Sequence, residues 1–215
     1  MSAGQPKQYL SLAGHPMLWH AIRAFERSSA IVRSFVVLAP DDGVWDTHDW
    51  HGLNRLVALR CGGPTRAASV LNGLLAMQSY GVAEEDWILV HDAARPCLSG
   101  ALLTKLLAEA GADPVGGLLA APVADTLKRA DGGRHILETV SRECLWAAQT
   151  PQMFRYGLLR RALEQAGDGV TDEASAVEAL GLSPRLVESD PSNLKVTFPG
   201  DQEVAEWRLA KLRAR

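Results

Sequence analysis

The stretch Trp87-Ile88-Leu89-Val90-His91-Asp92-Ala93-Ala94-Arg95-Pro96 passes from an unbroken apolar run into a polar turn. An apolar run without alternation predicts a strand buried on both faces, the habit of sheets covered by helices on each side. Ligands in open α/β sheets bind beyond the carboxyl ends of such strands. An aspartate there can hold a metal or a sugar hydroxyl, and an arginine three positions on can clamp a phosphate. The same residues also suit a plain strand-end turn with a surface ion pair. His91 fits either a general base or a packed ring.

Working outward, short apolar runs alternate with helical periodicity. A helix is expected over 16–28, with Pro16 in its first turn and Leu18, Ala21, Ile22 and Phe25 on one face. Strands are expected over 34–39 and 56–60. A helix follows over 66–77, with Val70, Leu71, Leu74 and Leu75 as its apolar stripe. Then come the 87–90 strand, a helix over 99–110 capped by Ser99, and a strand over 117–121. This alternation predicts a parallel or mostly parallel α/β sheet. The pattern breaks at 125–130 and 135–140, which flank Asp131-Gly132-Gly133 and read as a β-hairpin arm projecting from the body. A strand over 145–154, helices near 156–166 and 171–180, and strands near 185–187 and 195–197 follow. A last helix starts around Pro199 and ends in a basic tail, Lys211, Arg213 and Arg215.

The bulk properties exclude several classes. The 215 residues suit a single domain, here 1–215 with the arm at about 122–150. A net charge of −3 offers no basic field for nucleic acid. No apolar run approaches membrane-spanning length, and no signal-peptide pattern opens the chain. Three widely spaced cysteines, Cys61, Cys97 and Cys144, make neither a disulfide framework nor a zinc site. A reducing cytoplasm is the natural setting.

Other stretches can carry chemistry. Cys61-Gly62-Gly63-Pro64-Thr65-Arg66-Ala67-Ala68-Ser69 follows a strand and opens a helix. Paired glycines there let backbone approach a ligand, and a helix start favours phosphate, although an ordinary turn reads the same way. Thr171-Asp172-Glu173-Ala174-Ser175 reads as a helix start with Thr171 as cap, or as a binding turn. Lys195, in the centre of a short apolar strand, is best explained if its amine reaches an anion. Asp46, His48, Asp49 and His51 have the composition of a metal cluster but read better as a surface loop. No hydrolase signature is present.

Taken together, PKQYL at 6–10, GGPTRAASV at 62–70, VHDAARP at 90–96 and APVADTLKR at 121–129 resemble the 2-C-methyl-D-erythritol 4-phosphate cytidylyltransferase family. SRECLWAAQTPQMF at 141–154, TDEASAVE at 171–178 and NLKVT at 193–197 extend the resemblance over essentially the whole chain. It implies a Rossmann-like nucleotidyltransferase sheet with a β-hairpin dimerisation arm. The implied reaction joins CTP and methylerythritol phosphate, with Mg²⁺, and releases pyrophosphate. Carried over by position, Lys7, Arg142 and Lys195 are catalytic, with Arg142 reaching the partner subunit's site. Asp92, Arg95, Thr126, Thr150 and Thr171 contact the polyol phosphate. Gly62, Gly63, Arg66 and Ser69 contact the nucleotide. Asp92 is the metal candidate, the cation being held mainly through the CTP phosphates. The nearest alternatives are a ribitol-5-phosphate cytidylyltransferase and an inactive, N-terminally truncated form.

The resemblance also bears on the opening residues. In the family a first β-strand and a glycine-rich loop precede the equivalent of Met1 and wrap the triphosphate. This sequence has neither, and Pro6-Lys7-Gln8-Tyr9 reads as the tail of that loop. The expectation is that Met1 is a false start and that the strand and loop lie upstream of it.

Overall fold

The structure, a computed structural model, describes residues 6–166 and 169–213; Met1 and Arg215 lie outside them. A single turn at Lys7–Tyr9 leads into β1 (Ser11–Leu12) and β2 (His15–Pro16), a small antiparallel pair. There follow α1 (Met17–Glu26), β3 (Ser34–Val37), β4 (Leu56–Leu59), α2 (Arg66–Met77), β5 (Trp87–Val90) and α3 (Gly100–Gly111). The second half comprises β6 (Gly117–Pro122), β7 (Leu127–Ala130), β8 (Ile136–Val140), β9 (Trp146–Arg155), α4 (Tyr156–Gln165), α5 (Glu173–Glu178), β10 (Arg185–Glu188) and α6 (Gly200–Arg213).

The main sheet has the order β10-β6-β9-β5. Neighbouring strand residues point to opposite faces, and both are apolar here. Leu118, Phe154, Ile88 and Val90 pack with Leu74 of α2, Leu159 of α4 and Val177 of α5. Leu119, Met153 and Leu89 pack on the other face with Phe25 of α1 and Leu103 and Leu106 of α3. Unbroken apolar runs therefore mark strands that pack on both faces, though β3 and β5 stay half-buried while β6 and the second half of β9 are buried.

They did not reveal the one reversed strand. β5, β6 and β10 share one direction, so the sheet is mostly parallel as expected, but β9 runs antiparallel to both β6 and β5. This ten-residue strand brings the chain back from the arm, so it enters the sheet in the reverse sense. β3 and β4 form a separate parallel pair.

Between the two sheets lies a slot of about 1230 Å³. β3 and β5 border it, with Ile22 and Phe25 of α1 and Val70 and Leu74 of α2 among its apolar walls. The residues of β5, expected to be buried, are consequently half-buried. The stripe of α2 also differs from expectation. Leu75 is 42% exposed, whereas Gly73 and Leu74 face inward. A Cβ on Gly73 would lie 2.6 Å from Val37 Cγ2, so the glycine lets α2 sit directly on β3.

Helix starts follow cap chemistry. Ser99 caps α3 by accepting from Leu102 N. In α5 the cap is Asp172, one residue beyond Thr171. Its side chain accepts from Ser175 N while Ser175 Oγ accepts from Asp172 N. β7 and β8 pair antiparallel as a hairpin around a turn in which Asp131 Oδ1 accepts from Gly133 N and His135 N. Residues 195–197, expected as a strand, join no strand; a bond from Val196 N to Ala94 O docks the segment.

Candidate active site

β5 ends at Val90 and delivers His91 and Asp92 to the polar mouth of the slot. The turn is pinned from β9. Thr150 Oγ1 accepts from Asp92 N at 3.0 Å and also meets His91 Nδ1 at 3.0 Å. His91 Nε2 lies 3.0 Å from the Arg95 carbonyl, which can only accept. Nε2 therefore carries the proton and Nδ1 accepts from the threonine hydroxyl, a neutral, fully used imidazole. Burial pushes its pKa down to about 4. The packed-ring reading of His91 is the one its bonds support.

The Asp92 carboxylate sits between two cations. Lys195 Nζ reaches Oδ2 at 2.8 Å, and Arg66 NH2 reaches Oδ1 at 3.2 Å. Burial opposes ionisation of Asp92, but the Lys195 and Arg66 contacts outweigh it and hold the group below its ordinary value. Lys7 borders the same slot as Arg66, Ser69, His91, Asp92 and Lys195. Its turn is anchored by Tyr9, 1% exposed, whose hydroxyl donates to Asp42 at 2.5 Å. Two cations thus flank one carboxylate where the apolar slot opens, and a third, Lys7, borders the same slot, an arrangement suited to a polyanion.

Lys195 is held out on a firm base. Asn193, fully buried, donates from Nδ2 to Gln149 Oε1 at 2.9 Å and to the Thr150 carbonyl at 2.8 Å. Arg95 NH1 donates to the Asn193 carbonyl at 2.7 Å. Arg95, 9% exposed, thus braces the lysine segment, where sequence reasoning expected a phosphate clamp. Asn193 and Gln149 were missed because buried amides carry no periodic signal.

Of the other expected residues, Ser69 borders the slot, and Gly62 and Gly63 shape the turn before α2. Gly62 approaches the end of β3 so closely that a Cβ would lie 2.8 Å from the Leu38 carbonyl oxygen. Ser69 Oγ accepts from Gly63 N at 3.0 Å and donates to the Thr65 carbonyl at 2.8 Å, bonds that shape the turn into α2. Thr126 at the base of the arm, Arg142 in its last turn and Thr171 before α5 are exposed and do not border the slot. In the loop at 46–51, Asp46 pairs with Arg60 at 2.6 Å. Among the described residues no group of three or more possible metal-ligating side chains gathers.

The comparisons with known proteins agree with one another. The sequence profile of the 2-C-methyl-D-erythritol 4-phosphate cytidylyltransferase family matches residues 1–211. The chain belongs to that family. It is therefore a nucleotidyltransferase, an enzyme. A relative of the same description from Azoarcus sp. (strain BH72) is 58% identical, over 97% of this chain and 88% of its own. One from Dechloromonas aromatica (strain RCB) is 57% identical, over 96% and 90%. A crystal structure of 4-diphosphocytidyl-2C-methyl-D-erythritol synthase superposes with a TM-score of 0.86 at 44% identity, covering 95% of each chain. Among the described residues no helix is long and apolar enough to cross a membrane.

The neutral His91 that this family member carries beside its site has a consequence for stability. Its folded pKa, about 4, is below the ordinary 6.5, so the unfolded chain binds more protons between those values. Stability is therefore expected to fall as pH drops from 6.5 towards 4. Asp92 acts in the same sense at still lower pH, since its stabilising contribution disappears as the carboxylate is protonated. Urea midpoints across this window should decline for the native chain and less steeply for His91→Gln. Equal slopes would show that His91 titrates normally.

Proposed function

We propose that the chain transfers the cytidylyl group of CTP to 2-C-methyl-D-erythritol 4-phosphate, with the phosphates meeting at the mouth of the slot. The observation that carries this reading is the hold of Arg66 and Lys195 on Asp92 at the slot that Lys7 also borders. A phosphate oxygen of the polyol attacks the α-phosphorus of CTP in line. The new P–O bond forms as the bond to the β-phosphate oxygen breaks, and pyrophosphate departs. Two anions must approach, so the protein's task is to neutralise and orient them, with no covalent intermediate. Lys7 stabilises charge on the five-coordinate phosphorus. Lys195 holds the attacking phosphate against CTP, and Arg66 steadies the nucleotide. Asp92 keeps the two neighbouring cations in place until phosphate oxygens take them over. Gly62, Gly63 and Ser69 form the turn that faces the base, while Thr126, Thr150 and Thr171 border the polyol.

The residues fit a divalent cation held mostly by substrate. Asp92 is the carboxylate at this end of the slot, and Mg²⁺ is commonly bound by one or two carboxylates plus phosphates and waters. Once there it supplies further neutralisation of the triphosphate.

The arm completes the site from a second copy. Ile136 and Leu137 are 65% and 62% exposed, and Leu145 and Trp146 at the base of the arm are also uncovered, which supports a homodimer clasped through this hairpin. Arg142 then reaches the partner's substrate phosphate. Free cysteines support a cytoplasmic setting. The slot supports one more parallel strand between β3 and β5, whose facing edges it would pair, followed by a glycine-rich loop around the triphosphate.

Pyrophosphate release from CTP, Mg²⁺ and methylerythritol phosphate tests this reading in the chain itself and in a form extended upstream through such a strand and loop. Release only from the extended form is expected. Release from neither, or preference for D-ribitol 5-phosphate in a substrate panel, would overturn the assignment. Full release from the chain as it stands would remove the strand and loop from the account.

A further inference from the structure

Glu173 lies at the site, yet no step of the transfer has used it. It is completely buried. An ionised carboxylate in such a place is costly unless it is paired and hydrogen-bonded. Both oxygens go to one partner: Arg66 NH1 donates to Oε1 at 2.6 Å, and NH2 to Oε2 at 2.9 Å. Burial raises the carboxyl pKa, and the arginine opposes that rise. A two-point fork of this kind fixes the guanidinium plane as well as its position. The other edge of the same group, Nε and NH2, faces Asp92 Oδ1 at 3.3 and 3.2 Å. Arg66 stays 38% exposed there and borders the slot. One edge is gripped in the interior, and the other is presented to the anion-binding mouth.

A plain strut between helices would not need this pair. Ala174 and Val177 of α5 already share an apolar cluster with Leu74 of α2, and Ala67 and Val70 pack against it. Glu173 is also located relative to the sheet. Gln152, a buried residue of β9, accepts from Ala174 N at 2.7 Å and donates to Asp172 Oδ2 at 2.8 Å. The position of the guanidinium is therefore referred to β9 through α5.

We propose that Glu173 is a positioning residue for cytidylyl transfer: through its fork with Arg66 it aims the outer guanidinium edge at the phosphates that meet beside Lys195. Asp92 holds that edge in the free protein, and a phosphate oxygen takes its place when substrate binds. The inference rests on the placement of the centre at Asp92 and Lys195.

Glu173→Gln preserves shape but removes the charge and one acceptor. Pyrophosphate release, measured in the form that turns over, should show kcat reduced about tenfold to a hundredfold, with a smaller change in KM for CTP. In an Arg66→Met background the same substitution should cost nothing further, because its effect passes through Arg66. Arg66→Lys, which keeps Glu173 and a positive charge but lacks the fork, should reproduce the kcat loss even if Glu173→Gln fails to fold. Normal kcat in Arg66→Lys, or an undiminished Glu173→Gln effect without Arg66, overturns the proposal. Should Arg66→Met and Lys195→Ala both turn over normally, the placement of the centre fails first.

Discussion

In the form that turns over, Lys195→Ala is expected to lower turnover by about 10²–10³-fold, the usual cost of removing one preorganised charge from a transition state. The loss should fall mainly on kcat, since the amine is asked to act where the two phosphates are pressed together. Folding should be unaffected. The lysine side chain is 49% exposed, so its pair with Asp92 is well screened, and its segment is held by Asn193 and Val196 instead. The urea midpoint should therefore stay close to that of the native chain while pyrophosphate release collapses. Lys7→Ala should behave alike, because its turn is anchored through Tyr9 and not through the amine. Near-normal turnover in both variants would remove the proposed mechanism.

Mixing two inactive variants should restore activity if the hairpin arm serves the partner's site. A subunit carrying Arg142→Ala keeps its own Lys7, and a subunit carrying Lys7→Ala keeps a working arm. In a mixed dimer one of the two sites then has both residues. With free exchange half the dimers are mixed, so about a quarter of native turnover is expected from an equimolar mixture. Each variant alone should be nearly inactive. No recovery after exchange, verified by native mass measurement, would place Arg142 outside the partner's site. The placement of the arm makes this a sharp test: Arg142 is exposed and does not border its own subunit's slot.

Much of the fold was legible because its signals are local. The unbroken run Trp87–Val90, the cap at Ser99 and the Asp131 turn each carry their own chemistry, and each forms its element close to the expected limits. The reversal of one strand was not legible. An apolar run reads the same whichever way the chain enters the sheet, so the antiparallel course of β9 emerged only from its partners β5 and β6. The segment around Lys195 misled for a related reason. Its apolar residues dock on the 91–97 turn with a single backbone bond, without joining a sheet.

The candidate site divides in the same way. Lys7, Arg66, Asp92 and Lys195 were marked by residue type and motif, and they do meet at one slot. Arg95 looked like an anion clamp, but its exposure and its bond to the Asn193 carbonyl depend on a segment far along the chain. Glu173 looked like an ordinary first-turn acid, and nothing local distinguishes it from one. Its pairing with Arg66 spans 107 positions. Sequence alone therefore determined the order of elements, the family and the residue types available for phosphate chemistry, since periodicity, caps and motifs are written over short distances. The tertiary structure alone decided which charges face one another and which are braces. That depends on burial and on distances between groups that only the packed sheet brings together.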